Sequence, residues 1–185
     1  MGEETREKIL KAAEELFFTK GYDATGIREI AAKAGVNSSM ISYYFGGKRE
    51  LFRELLLSHM DTMVREVSKI TTNDPERFIR EFVRIHIRTL RLRGPRLAVM
   101  MMRELHAKSD VGSELLERFL KSIGDRLTEV IRNGIEKGTF RRLEPRLILN
   151  FLIHTDAMVA IGFQNMGLEE ASETAFSHFM DGVRG

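Results

Sequence analysis

The side chains with the most distinctive chemistry fall between positions 25 and 52. Ser38, Ser39, Met40, Ser42 and Tyr43 set short hydroxyls, one thioether and one phenol on a single short stretch. On a short helix these point mostly outward, a surface that suits the donor and acceptor edges of bases in a DNA major groove. Lys48 and Arg49 follow at the start of the next helix, where the positive helix end and a lysine together suit a phosphate. The alternative reading of the same residues is a structural helix-turn-helix that touches no nucleic acid.

Other constellations carry less. His154 and Asp156 are two apart and point away from each other on a helix. Asp110 lies beyond the end of the helix that holds His106, and His178 with Asp181 is a common spacing near a terminus. There is no His-Glu-x-x-His, phosphate-binding glycine loop or nucleophile elbow. With no cysteine, neither a disulfide nor a thiolate site is available. An enzyme, a metal site and a cofactor are therefore not expected. His86 stands within an apolar helix face and requires a hydrogen-bond partner, either as a core histidine or as a ligand contact. Arg77, Arg80, Arg84, Arg88 and Arg91 form a stripe opposite that face, and carboxylates from elsewhere are expected over it. Met100, Met101 and Met102 adapt to irregular cavities, although three in a row cannot all line one pocket.

These residues need helices to position them. Apolar residues recur at spacings of three and four almost throughout, and no segment sustains a period of two. Nine helices are predicted, at about 3–20, 27–34, 38–45, 48–70, 75–92, 95–108, 110–137, 145–166 and 168–183. Thr25 is expected to cap the second, Asn37 or Ser38 the third and Asn73-Asp74 before Pro75 the fifth, while Ser109-Asp110 begins the seventh and Glu144-Pro145 opens the eighth. Gly35 gives the turn between helices two and three its backbone freedom. Gly94 is expected to end the fifth helix. Val36 and Ile41 fill the gap between helices two and three, and Phe45 closes it.

At these residues the chain resembles the TetR family of bacterial transcriptional repressors, over roughly residues 5–52. The matching features are Gly21-Tyr22, Thr25, the run Ile30-Ala31-Ala32-Lys33-Ala34-Gly35-Val36, then Tyr43-Tyr44-Phe45 and Lys48. Ser39 and Ser42 depart from the pattern, and Tyr43 is the ring that can replace the aromatic missing at Ser42. The resemblance implies Arg28, Ser38, Ser39 and Met40 near bases, with Thr25, Tyr43, Tyr44 and Lys48 near phosphates. It also implies an all-α fold, with a helix-turn-helix DNA-binding domain over 1–50 and an effector-binding and dimerisation domain over 51–185. The implied function is a repressor, bound as a homodimer to a palindromic double-stranded DNA operator and released by a small molecule. The alternative is a helical ligand-binding or protein-interaction module without specific DNA binding.

Charge adds little. The 185 residues carry 29 basic and 27 acidic side chains, and residues 1–50 are balanced at 8 and 8. Any DNA affinity then depends on where Arg28, Lys33, Lys48 and Arg49 stand. The N-terminal residues lack the apolar core of a signal peptide, and the most apolar run, 147–163, holds Asn150, His154 and Asp156. A cytoplasmic location without a membrane span is expected. That run is apolar around nearly its whole circumference, which places a dimer interface on helices eight and nine, Phe163 and Phe179 included. The effector pocket is expected among helices five to eight. Its walls are Phe82, Ile85, Met101, Leu105, Phe119 and Ile123, with His86 as polar anchor and Asn150 or His154 as a second.

Overall fold

The computed structural model describes residues 2–92 and 95–185, the second stretch with side chains from residue 99 onward. The expected stop at Gly94 lies outside the described residues. The chain divides into two compact units, residues 1–59 and 60–185. The division falls further along the fourth helix than residue 50, because Leu51, Phe52, Leu55 and Leu56 are all buried with the N-terminal helices.

In the first unit α1 (Gly2–Lys20), α2 (Ile27–Ala34) and α3 (Ser39–Phe45) surround the start of α4 (Lys48–Val67). Ile9, Ala13, Phe17, Ile30, Ile41 and Leu51 form its core. Rings of Phe17, Tyr22 and Phe52 meet at 4.6–5.6 Å and fix the α1–α2 connection against α4. α4 stops at Val67, short of the expected residue 70, although Ile70 remains buried.

The second unit follows α4 with α5 (Pro75–Arg91), α6 (Pro95–Ala107), α7 (Asp110–Phe119), a π-helical turn (Leu120–Gly124), α8 (Asp125–Glu136), α9 (Pro145–Gly162) and α10 (Leu168–Val183). α5 packs against α6, α8, α9 and α10 and is the centre of the unit. Its sequence dictates this, since Phe78, Ile79, Phe82, Val83 and Ile87 are all fully buried. The expected cap at Asp74 forms, its Oδ1 accepting from Arg77 N at 2.8 Å, and the helix starts at Ser109 and Glu144 are capped as well, Ser109 Oγ accepting from Gly112 N and Glu144 Oε2 from Leu147 N, both at 3.0 Å.

The π turn interrupts what the spacing predicts as one helix over 110–137. Counted as an inclusion in a continuous helix, it leaves nine helices among the described residues. Its cause lies in the apolar pattern. Val111, Leu115, Ile123, Leu127 and Ile131 are buried and differ by multiples of four. On an ordinary helix each such step drifts by about 40°, so a wider turn is needed to keep them on one side. Leu116 and Leu120, which also fall in the three-and-four spacing, are exposed. α6 and α7 cross so closely that a Cβ at Gly112 would lie 2.1 Å from Glu104 O, which requires glycine there. Outside the helices, Phe140 and Arg184 form an isolated antiparallel bridge that the helical periodicity gives no sign of. Among the described residues no helix is long and apolar enough to cross a membrane.

Candidate nucleic-acid interface and buried polar pair

Gly35 has φ +68°, the left-handed conformation that ends α2 and turns the chain into α3. Val36 N–H donates to Ala31 O at 3.0 Å, locking the turn. Of the two capping candidates, Asn37 supplies the side chain. Its Oδ1 accepts from Ser39 N and Ser39 Oγ, both at 2.9 Å. Ile41 and Phe45 then bury the inner face of α3. The outer face carries the remaining residues: Ser39, Ser42 and Tyr43 are exposed, Tyr43 by 79%, while Ser38, Met40 and Tyr44 are half-buried. The short hydroxyls, the thioether and the phenol thus share one open helix surface.

Thr25 does not cap α2. The cap position is Gly26, and Thr25 is buried with its hydroxyl donating to Gly21 O at 2.8 Å. Its side chain fixes the end of the α1–α2 connection, because a buried hydroxyl must find an acceptor. Lys48 stands at the first position of α4, with Nζ 4.3 Å from the centroid of the Tyr22 ring. Tyr22 is the residue that sequence reasoning passed over as a motif aromatic. It holds the ammonium by a cation–π contact beside the helix end.

Much of the remaining charge is internally paired. Lys20 bonds Glu29, Arg6 bonds Glu54, and Lys33 lies 2.7 Å from Glu15. Lys33 and Lys20 hold the carboxyls of Glu15 and Glu29 below their ordinary range, chiefly through these hydrogen bonds. Lys33 is therefore engaged, whereas Arg28 is exposed with no ion-pair partner among the described residues.

In the second unit three of the five arginines in the α5 stripe meet carboxylates from other helices, as expected. Arg80 bonds Glu173, Arg84 lies 2.6 Å from Glu169 and Arg88 lies 2.9 Å from Glu66. Arg91 donates to the main-chain carbonyls of Phe163 at 2.7 Å and Met166 at 2.8 Å. α9 ends at Gly162, before the expected 166, and Arg91 collects the carbonyls left open beyond it.

His86 finds its partner in Asp156. Nδ1 and Oδ2 are 3.0 Å apart, with the histidine 6% exposed and the aspartate not at all. Burial pushes the Asp156 carboxyl above its usual range, and the hydrogen bond and charge of His86 pull the other way. Sequence reasoning missed Asp156. The available signal was a lone carboxylate inside the most apolar run of the chain. Among the expected walls, Phe82 and Ile123 are fully buried and Ile85, Met101, Leu105 and Phe119 are half-buried. Asn150 and His154 are not brought to His86. Both are exposed on α9, where His154 Nδ1 bonds Asn150 O at 2.7 Å and its ring lies 5.9 Å from that of His106.

The apolar circumference of α9 divides into two faces. Ile148, Leu149, Leu152, Val159 and Ala160 are buried, while Leu147, Phe151, Met158 and Phe163 are 41–66% exposed. Phe179 on α10 is fully buried within its own chain, together with Ala171, Ala175, Phe176 and Met180. The interface role expected of Phe179 is thereby corrected, because its ring has no free surface to offer a second chain.

Comparison with known proteins agrees with the geometry of the first unit. A family model described as "Bacterial regulatory proteins, tetR family" matches residues 9–55, which span the turn at Gly35 and the whole of α3. The transcriptional repressor NicS of Pseudomonas putida is 32% identical over 144 residues, 74% of this chain and 66% of that protein. The transcriptional activator FasR of Mycolicibacterium smegmatis is 37% identical over 78 residues, 40% of this chain and 36% of its own length. The chain therefore spans between about a third and two thirds of these relatives. The crystal structure of the TetR-family regulator PfmR from Thermus thermophilus superposes with a TM-score of 0.76 at 24% identity, covering 92% of this chain and 94% of that one. With the helix-turn-helix formed at the matched residues and the helical fold shared along the chain, this protein belongs to the tetR family of bacterial regulatory proteins.

Proposed function

We propose that the chain is a homodimeric transcriptional repressor that reads a near-palindromic operator through α3 and is released by a small-molecule effector bound in the second unit. The observation that carries the DNA reading is the open face of α3, held at its base by Ile41 and Phe45 and at its start by Asn37. Ser38, Ser39, Met40 and Ser42 face base edges, and Arg28 supplies the unpaired cation beside them. Tyr43, Tyr44 and Lys48 meet phosphates, with Lys48 aimed by Tyr22. Thr25 acts through the connection that it anchors. The match to NicS over most of the chain supports repression. The match to FasR is confined to a shorter stretch, and a helix-turn-helix carries no sign of regulation in itself.

A pair of readers needs a dimer, and the exposed face of α9 supports one. Leu147, Phe151 and Met158, spaced four and seven apart on α9, form an exposed apolar patch that water disfavours. Phe151→Glu with Met158→Glu should give folded monomers by sedimentation, and an unchanged dimer would move the interface elsewhere. The effector reading rests on the buried His86–Asp156 pair between Phe82 and the apolar face of α9.

Selection of bound sequences from a random duplex pool tests the whole reading. Lys48→Ala should weaken binding to every sequence and reduce the salt slope by about 0.9, since a phosphate contact carries no sequence information. Met40→Ala should instead change preference at particular base pairs, by about 1–3 kcal/mol each. A pool that yields no enriched sequence would favour the ligand-binding module without specific DNA binding.

A further inference from the structure

The second unit buries few polar side chains, and most are satisfied locally. Thr89 Oγ1 donates to Ile85 O at 2.8 Å and Ser172 Oγ to Leu168 O at 2.7 Å, each within its own helix. Among the described residues two buried side-chain atoms of this unit are unmet: Arg91 Nε, whose guanidinium is bonded through its other nitrogens, and one oxygen of Asp156. Oδ2 meets His86, but Oδ1 has no hydrogen-bond partner among the described residues, although the side chain is completely buried. An unmet buried acceptor is costly, more so when it bears charge.

The hydrogen-bonding character of Oδ1 follows from counting protons. The bond between His86 and Asp156 holds one proton, carried by Nδ1 or by Oδ2. In either position Oδ1 is left as an acceptor, as long as the pair holds that proton alone. The surroundings are apolar. The Phe82 ring lies 5.4 Å from the imidazole, and Leu152, Val159 and Ala160 occupy the same face of α9 as Asp156. A group that meets Oδ1 must therefore donate a hydrogen bond and belong to a largely apolar molecule. A carboxylate brings only acceptors and sets a second negative charge against Oδ1. An ammonium donates, but must lose the water around a full charge to enter these apolar surroundings.

We propose that Asp156 Oδ1 is the recognition point of the effector, and that it selects an apolar compound with an uncharged N–H or O–H donor, a carboxamide or an alcohol, over a carboxylate. This rests on the effector reading above and narrows it to a chemical class.

Three probes of equal chain length test it on the full chain: octanamide, 1-octanol and octanoate, titrated calorimetrically at pH 7.5. Octanamide and 1-octanol should bind saturably, one per chain, with Kd values at least tenfold below that of octanoate. Asp156→Asn, which offers an N–H in place of an acceptor, should remove or reverse that preference. If Asp156→Asn does not fold, the carboxyl carbon resonance of Asp156 in the wild-type protein replaces it, and must shift when octanamide is added. Octanoate binding as tightly as octanamide, an unaltered preference in Asp156→Asn, a carboxyl resonance that does not move, or no binding by any probe would each overturn the assignment. The effector reading itself is tested separately. It falls only if metabolite extracts fail to release the selected operator.

Discussion

Both units set an imidazole against a carboxylate, His59 with Glu14 in the first and His86 with Asp156 in the second, but of these two pairs only the second has a carboxylate with no exposure at all. In residues 1–59 the serines and Tyr43 of α3 face outward, and charges such as Lys33 and Glu15 pair at the surface. In residues 60–185 an imidazole and a carboxylate are drawn into the interior, where one oxygen is left unmet. The difference matches what each unit is proposed to recognise. A long polyanion is met by an exposed face whose contacts can be numerous and individually weak. A small molecule must be enclosed, so a few buried groups have to supply its orientation.

The sharpest way to break this contrast is to empty one half of the buried pair. His86→Ala should lower stability by about 3–5 kcal/mol, because it leaves the Asp156 carboxyl buried without a partner. Replacing both, as His86→Leu with Asp156→Leu, should restore stability to the wild-type level or above. Urea unfolding of the three proteins measures both effects. If the single variant is as stable as the wild type, the pair is not a buried, coupled unit.

A smaller effect is expected from the turn that aims α3. Gly35→Ala places a Cβ at φ +68°, and should cost about 1–2 kcal/mol in thermal unfolding. Operator affinity should fall along with stability, whereas a change at His86 should affect effector response first. Equal loss of both functions in both variants would erase the distinction between the units.

The smallest expected effect is a pH dependence. The folded state raises the Asp156 carboxyl above its ordinary value of 3.8, so the native chain retains a proton that the unfolded chain has lost. The stability contributed by this group is fully present below the unfolded pKa and disappears as pH rises through the folded one. Wild-type stability should therefore decline relative to Asp156→Asn as pH rises above about 4, the ordinary carboxyl value. Parallel curves would mean that Asp156 titrates normally.

How much was legible in the sequence depended on the range of the interactions involved. The helix-turn-helix was readable because its determinants are local: Gly35 turns, Asn37 caps, and Ile41 and Phe45 lie four apart on one face. The cap at Asp74 and the helix starts at Ser109 and Glu144 were readable for the same reason. Thr25 misled because a hydroxyl beside a helix start satisfies either that helix or the chain before it, and only the folded connection decides. Asp156 was invisible as a partner of His86 because seventy positions of chain separate them. Phe179 and Phe163 looked alike in apolar pattern, yet one lies inside and the other outside, a choice made by how α10 packs on α5 and α9. The π turn was hidden as well, since steps of four and steps of three and four are both read as helix.

The ion pairs that neutralise much of the first unit bear on the rate at which a site is found as well as on the strength with which it is held. A DNA reader with few spare cations has shallow attraction for arbitrary sequence, so each chance encounter is brief. Its search proceeds by repeated collision from solution more than by long sliding along the duplex, and electrostatic steering accelerates it little. Arrival at the operator should then vary only weakly with ionic strength, while specificity comes from contacts formed after arrival.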